Sequence, residues 1–151
     1  MKDNTPSSPL PALPSHTKIV IVRSLWNEEL TQSMEEGARR VLKEAGVKDI
    51  VTIAVPGAFE IPLACQRVIE EEKVHGVIAL GVIIQGETHH GEEIARACTD
   101  GLMQVMLETS VPIVHGVLFT DSLKLAEERA LGTVNKGSEV ATALLHMIAK
   151  S

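Results

Sequence analysis

VIALGVIIQGETHHGEEI, residues Val77 to Ile94, is the stretch whose reading decides the fold. From Val77 to Ile84 nearly every residue is apolar and many are β-branched, the pattern of a strand covered on both faces in a parallel sheet. Gln85 and Gly86 then turn the chain. Thr88 is placed to cap a helix by accepting from amide groups of its first turn. Such a terminus presents N–H donors and the positive end of the helix dipole, so it can seat an anion. His89 and His90 follow within one turn, and imidazole is the side chain best suited to move protons near neutral pH. An anion seat at Gly86, Glu87 and Thr88 beside an acid/base group at His90 points to an enzyme.

Working outward, the strand-then-helix pattern repeats. Residues Lys18 to Ser24 form a first strand, and Asn27 caps a helix with Leu30, Met34, Ala38, Val41, Leu42 and Ala45 inward, closed by Gly46. Ile50 to Val55 is a second strand, broken by Pro56 and Gly57. Pro62 suits the first turn of a helix carrying Ile61, Cys65, Val68 and Ile69 on one face. The helix after the central strand runs from His89 to Thr109 with Ile94, Cys98, Leu102, Val105 and Met106 at helical spacing. Pro112 to Phe119 is a fourth strand, and Asp121 or Ser122 caps a short helix to Ala130. A last helix extends to Lys150 with Val140, Ala143, Leu144 and Met147 inward.

Strands each followed by a helix through short linkers imply right-handed crossovers and one parallel sheet with helices on both faces. The expected fold is a three-layer α/β/α sandwich with a four-stranded parallel sheet in flavodoxin-like order. In such sheets ligands bind beyond the carboxyl ends of the strands. Those ends deliver Trp26, Phe59, Glu60, Thr88 and His90 to one rim. So small a sheet leaves two edges and a modest core, so subunits are expected to associate.

Composition sets the bounds. The chain of 151 residues, 44% hydrophobic, suits one domain. We place it at residues 17–151, after a flexible Pro-rich arm over 1–16 that carries Pro6, Pro9, Pro11 and Pro14. A net charge of −6 without any run of Lys or Arg excludes a nucleic-acid surface. Neither an apolar run long enough to span a membrane nor the pattern of a signal peptide is present, so the expected location is cytoplasmic. Cys65 and Cys98 fall mid-helix among apolar neighbours and read as reduced core thiols.

The motifs have plainer readings too. His89, His90, Glu92 and Glu93 are metal-ligand types, but on a helix His90 points about 100° away from the face shared by His89 and Glu93. No metal is expected. An acid-rich first turn is also what an ordinary solvated helix start looks like. Without a GxGxxG or Walker pattern, nucleotide binding has no support. Trp26 and Phe59 serve either as core fillers or as platforms for a flat heteroaromatic ring. His115, inside a strand, reads as a hydrogen-bonded core histidine. Arg129 can clamp a phosphate presented by a neighbouring subunit.

Taken together, Val55-Pro56-Gly57-Ala58-Phe59-Glu60-Ile61-Pro62, Gly81 through His90, Gly116-Val117-Leu118 with Thr120, Glu128-Arg129-Ala130 and Asn135-Lys136-Gly137 resemble the 6,7-dimethyl-8-ribityllumazine synthases. The resemblance spans Lys18 to Met147 in order. It implies the penultimate step of riboflavin biosynthesis, in which 5-amino-6-(D-ribitylamino)uracil condenses with 3,4-dihydroxy-2-butanone 4-phosphate without metal or organic cofactor. It further implies homo-oligomers built of pentamers, sometimes sixty-subunit icosahedral capsids, with riboflavin synthase as a protein partner. By position, Trp26 is similar to the residue stacking on the pyrimidine, with Asn27 beside it. Phe59 and Glu60, after Gly57 and Ala58, resemble the pair holding the ribityl chain. Val82, Ile83 and Ile84 line the ring pocket. Gly86, Glu87 and Thr88 receive the phosphate and His90 transfers protons. Arg129, from the adjacent subunit, resembles the phosphate clamp, Lys136 is similar to the lysine contacting the ring or ribityl side, and His115 stands where an apolar or aromatic residue often packs against the neighbour's pocket. Gln85 replaces a usual basic residue and Gly91 a usual aromatic. Two alternatives are a riboflavin-binding storage shell, suggested by the indole of Trp26, and an archaeal-type riboflavin synthase.

Overall fold

Near-continuous apolar runs set β1 (Lys18–Ser24) and β3 (Gly76–Ile84) at the centre of the computed structural model, which describes residue 9 and residues 12–149. The flexible arm expected over 1–16 therefore lies mostly outside the described residues. Of its inner end, Leu13 packs against the core and Thr17 Oγ1 donates to the Pro14 carbonyl at 2.6 Å. The remaining elements are α1 (Glu28–Glu44), β2 (Asp49–Val55), a 3₁₀ turn (Ala58–Glu60), α2 (Ile61–Glu71), α3 (His90–Thr109), β4 (Ile113–Thr120), α4 (Leu123–Ala130) and α5 (Lys136–Ala149). The strands are all parallel in the order β2-β1-β3-β4, the flavodoxin-like sequence expected.

The period of two divides each central strand between two cores. Ile19, Ile21, Ile78 and Leu80 join α1, α4 and α5, while Val20, Val22, Val77 and Ala79 join α2 and α3. Each of these side chains is fully buried. Burying one Val, Leu or Ile contributes roughly 1.5–3 kcal/mol, so these two strands anchor the domain. Both cysteines are free and buried in the α2/α3 core. Burial pushes the Cys65 thiol up to about 12 and the Cys98 thiol to about 11.

Helix ends follow local chemistry, with three departures from expectation. Gly46 closes α1 at φ 87°, where Val47 N–H reaches the Leu42 carbonyl at 3.0 Å and Gly46 N–H the Lys43 carbonyl at 3.0 Å. Asn27 does start α1, yet its side chain makes no cap. It sits at φ 58° and donates instead to the Val82 carbonyl at 3.1 Å, because the left-handed backbone turns the amide toward β3. Met147 is exposed, not inward: the buried stripe of α5 runs through Val140, Ala141, Leu144, Leu145 and Ile148 and leaves position 147 at its solvent border. His115 is exposed too, because β4 is an edge strand, although its Nε2 lies 2.9 Å from Thr99 Oγ1.

One ionic cluster joins α1 to the sheet. Glu35 accepts from Arg23 at 2.9 Å, from Arg39 at 2.8 Å and from Thr52 Oγ1 at 2.8 Å. Burial alone raises the Glu35 carboxyl, but hydrogen bonds from Arg39 and Thr52 and the charges of Arg39 and Arg23 outweigh it, leaving it below its ordinary 4.5. A depressed carboxylate stabilises the fold above its unfolded pKa, and that contribution is lost as pH falls through the folded value. Glu35→Gln should therefore cost about 2–3 kcal/mol at pH 7. Urea midpoints of the two proteins should converge below pH 4.5; an equal gap at both pH values would mean that the charge is irrelevant.

Candidate active site

The carboxyl ends of β1, β2 and β3 are stitched into one rim. Leu25 N–H donates to the Val55 carbonyl at 2.7 Å and Trp26 N–H to the Pro56 carbonyl at 3.2 Å, while Gln85 N–H reaches Thr120 at 2.8 Å. These bonds hold Trp26 over Gly57. A Cβ at Gly57 would come within 2.8 Å of Cε3 and Cζ3 of the indole, so the aromatic lies directly on the glycine backbone. Trp26 is 66% exposed and Phe59 60% exposed. Both are therefore surfaces open to a ligand and not core fillers. Gly57 N–H donates to Glu60 Oε1 at 3.1 Å, which fixes that carboxylate beside Phe59. Ala58 and Val82 are buried beneath, and Ile83 and Ile84 are half-buried.

Beyond β3 the chain leaves the sheet through Gly86, Glu87 and Thr88, all exposed. The helix begins at His90, one residue later than expected, and Thr88 Oγ1 accepts from His90 N–H at 3.4 Å. His90 stands exposed at this terminus. The dipole there favours an anion, but Glu87, Glu92 and Glu93 oppose one. Arg96 is paired with Glu92 at 3.4 Å, and no Lys or Arg occurs from 85 to 93. A phosphate at this loop needs a cation from elsewhere.

Cations lie in a cleft of about 420 Å³ along β4, lined by His115, Phe119, Asp121, Leu125, Arg129 and Lys136 among others. Arg129 is half-buried and its guanidinium donates to the Leu125 carbonyl at 3.5 Å. Lys136 Nζ donates to Glu139 Oε1 at 3.1 Å. His115 is exposed by surface area, yet its ring is set against Thr99 and the cleft walls, where partial desolvation lowers its pKa from the ordinary 6.5 and the Lys136 charge acts in the same direction. None of the lining residues belongs to the Trp26, Gly57 to Glu60 or Gly86 to His90 group. Within one chain, then, the cleft that holds Arg129, Lys136 and His115 is not lined by His90 or the ring platforms, although its Phe119 lies beside Gly91, the neighbour of His90.

Three residues of the cleft and the acid of its ion pair were not among the candidate site residues. Phe119, Asp121 and Leu125 line the cleft, and Glu139 binds Lys136. Only Glu139 carried a readable signal, as an acid three positions after a lysine on one helix. Gly91 is also better understood. A Cβ there would lie 3.3 Å from Ile83 Cγ2 and 3.5 Å from Phe119 Cε1, so Phe119 occupies ground beside the position where an aromatic at 91 would project. Among the described residues no group of three His, Cys, Asp or Glu gathers as metal ligands, and no helix is long and apolar enough to cross a membrane.

A parallel α/β sheet with an exposed histidine at a helix start, aromatic platforms on the rim and a basic cleft on the edge strand defines a small-molecule-binding protein of flavodoxin-like order. Residues 16–151 match the family model for 6,7-dimethyl-8-ribityllumazine synthase. The chain belongs to that family, the lumazine synthases of riboflavin biosynthesis. It is 41% identical over 138 residues to the 6,7-dimethyl-8-ribityllumazine synthase of Xanthomonas campestris pv. campestris (strain B100), covering 89% of this chain and 90% of that one. It is 42% identical over 137 residues to the enzyme of that name from Pediococcus pentosaceus, covering 89% and 88%.

Gly57→Ala tests the rim. At φ −140° an alanine meets no backbone strain, so stability should barely change. The added methyl must displace the indole of Trp26, the single tryptophan, and its fluorescence emission should shift. An unaltered spectrum would show that the ring does not rest on Gly57.

Proposed function

We propose that this chain condenses 5-amino-6-(D-ribitylamino)uracil with 3,4-dihydroxy-2-butanone 4-phosphate to 6,7-dimethyl-8-ribityllumazine, at a site divided between two adjacent copies. The observation that carries the divided site is the separation just described: the rim holds His90 without a cation, and the cleft holds Arg129 and Lys136 without His90. Each half supplies what the other lacks. In this reading Trp26 stacks on the pyrimidine, with Asn27 fixing the turn that presents it. Phe59 and Glu60 hold the ribityl chain, while Val82, Ile83 and Ile84 line the ring pocket. Gly86, Glu87 and Thr88 receive the phosphate, and Arg129 from the next copy neutralises it.

The chemistry follows from positioning. The 5-amino group attacks the ketone carbonyl and water leaves to give an imine; loss of the C3 proton with inorganic phosphate from C4 gives an enol that tautomerises to a new carbonyl at C3; the ribityl-bearing 6-amino nitrogen then closes on that carbonyl with loss of a second water. His90 moves protons between these steps. Bringing two substrates together in a fixed pose supplies most of the acceleration. No step requires a metal or organic cofactor.

Homo-oligomers built of pentamers are part of the proposal. The exposed edge of β4 and the exposed apolar Leu63, Met103 and Leu107 support association, as surfaces a neighbour would cover. Riboflavin synthase, which consumes the product, is the proposed protein partner, and the proposed location is the cytoplasm. A second reading, riboflavin binding by a shell of the same fold, draws on the open face of Trp26. Incubation with both substrates separates the two: lumazine fluorescence supports the enzyme, whereas tight riboflavin binding without product supports storage.

His90→Ala should lose about 10²-fold in kcat yet retain measurable turnover, because proton transfer is the smaller share; total loss with intact assembly would contradict this. Arg129→Ala should raise the KM for the ketone phosphate. Co-refolding the two variants in equal amounts should restore about a quarter of the sites if each site draws on two copies. Activity no higher than the mean of the two variants alone would place the site within one chain.

A further inference from the structure

Glu139 is 8% exposed, and a carboxylate so buried is costly unless charge and hydrogen bonds answer it. Its Oε1 accepts from Lys136 Nζ at 3.1 Å. Its Oε2 is shut off from solvent and, among the described residues, has no hydrogen-bond partner. The negative charge therefore leans on the Lys136 ammonium. Neither group can drift, since both stand on α5 where it crosses α1: a Cβ at Gly137, between them, would come within 1.8 Å of the Met34 carbonyl oxygen. Asn135 pins the same turn, donating to the Ser33 carbonyl at 3.0 Å and accepting from Ser138 N–H at 3.2 Å.

Arg129, in the same cleft, is differently placed. Its hydrogen bond runs to the neutral Leu125 carbonyl at 3.5 Å, and among the described residues no carboxylate is paired with it. The cleft thus holds one cation already answered by a buried acid and one that is not. A phosphate approaching Lys136 would meet the Glu139 charge directly behind it, in surroundings where water screens little. One approaching Arg129 meets a planar guanidinium suited to bidentate contact.

We propose that Glu139 is a positioning residue: its charge withholds Lys136 from phosphate and so enforces the division that the family resemblance implies, with the dianion on Arg129 and Lys136 on the ring or ribityl side of the other substrate. This rests on the divided site proposed above. The cleft would then load a phosphorylated and an unphosphorylated reactant in one arrangement, not two.

Inorganic phosphate is the probe, measured by calorimetry and as an inhibitor against the ketone phosphate. Glu139→Gln keeps the shape and removes the charge, freeing Lys136 as a second phosphate cation. Phosphate should bind about 3- to 10-fold more tightly at low salt, while the KM for the ribitylaminouracil rises. A general loosening of the fold would weaken phosphate instead; unchanged or weaker phosphate binding overturns the proposal. In the double variant Glu139→Gln with Lys136→Met the gain should vanish, and its persistence would show that Lys136 is not its source. Arg129→Ala keeps the two levels apart. If it leaves phosphate binding intact, the site reading itself fails; if it weakens binding while Glu139→Gln has no effect, only the role given to Glu139 fails.

Discussion

Burial of β3 on both faces is the constraint from which the other features follow. Val77, Ile78, Ala79 and Leu80 are fully buried, alternate residues facing opposite cores. A strand covered on both sides must have helices above and below, and in a parallel sheet the crossovers supply them. Its carboxyl end is then the place where the chain escapes the core. There Val82 takes the Asn27 amide on its carbonyl and Gln85 N–H makes a final bond to Thr120, after which Gly86 to Thr88 turn into solvent. The exposed loop and His90 are where they are because the strand before them has nowhere else to end.

Charge is the second constraint, and it works against the single chain. The start of α3 offers a helix dipole but carries Glu87, Glu92 and Glu93. The cations of the cleft, Arg129 and Lys136, stand on α4 and at the start of α5. A dipole contributes about 0.3–1 kcal/mol near the surface, comparable to what each neighbouring carboxylate takes away. In the proposed reading an outside guanidinium tips the balance, which is the physical ground for proposing a site completed by a second copy.

Much of this was legible in the chain. Strand limits for β1 agree to the residue, and the cap at Ser122, whose hydroxyl accepts from Leu125 N–H at 3.3 Å, was one of the two candidates. These features depend on neighbours in sequence: alternation, a serine before a helical run, a glycine after one. The misplaced features depend on neighbours in space. Asn27 looked like a side-chain cap until β3 offered its amide a carbonyl. His115 looked like a core histidine because nothing local says that β4 is an edge. Met147 looked inward because the stripe of α5 is set by where α1 crosses it at Gly137.

Sequence by itself determined the element order, the parallel sheet, the rim holding Trp26, Phe59 and His90, and the family, because periodicity, turn chemistry and contiguous motifs are local properties of a chain. Tertiary structure alone decided that Trp26 lies on Gly57, that the Asn27 amide reaches the Val82 carbonyl, and that the cleft holding Arg129 and Lys136 is not lined by His90. Those are relations between residues far apart along the backbone. They are set by which faces the two cores bury, and no short stretch of residues carries that information.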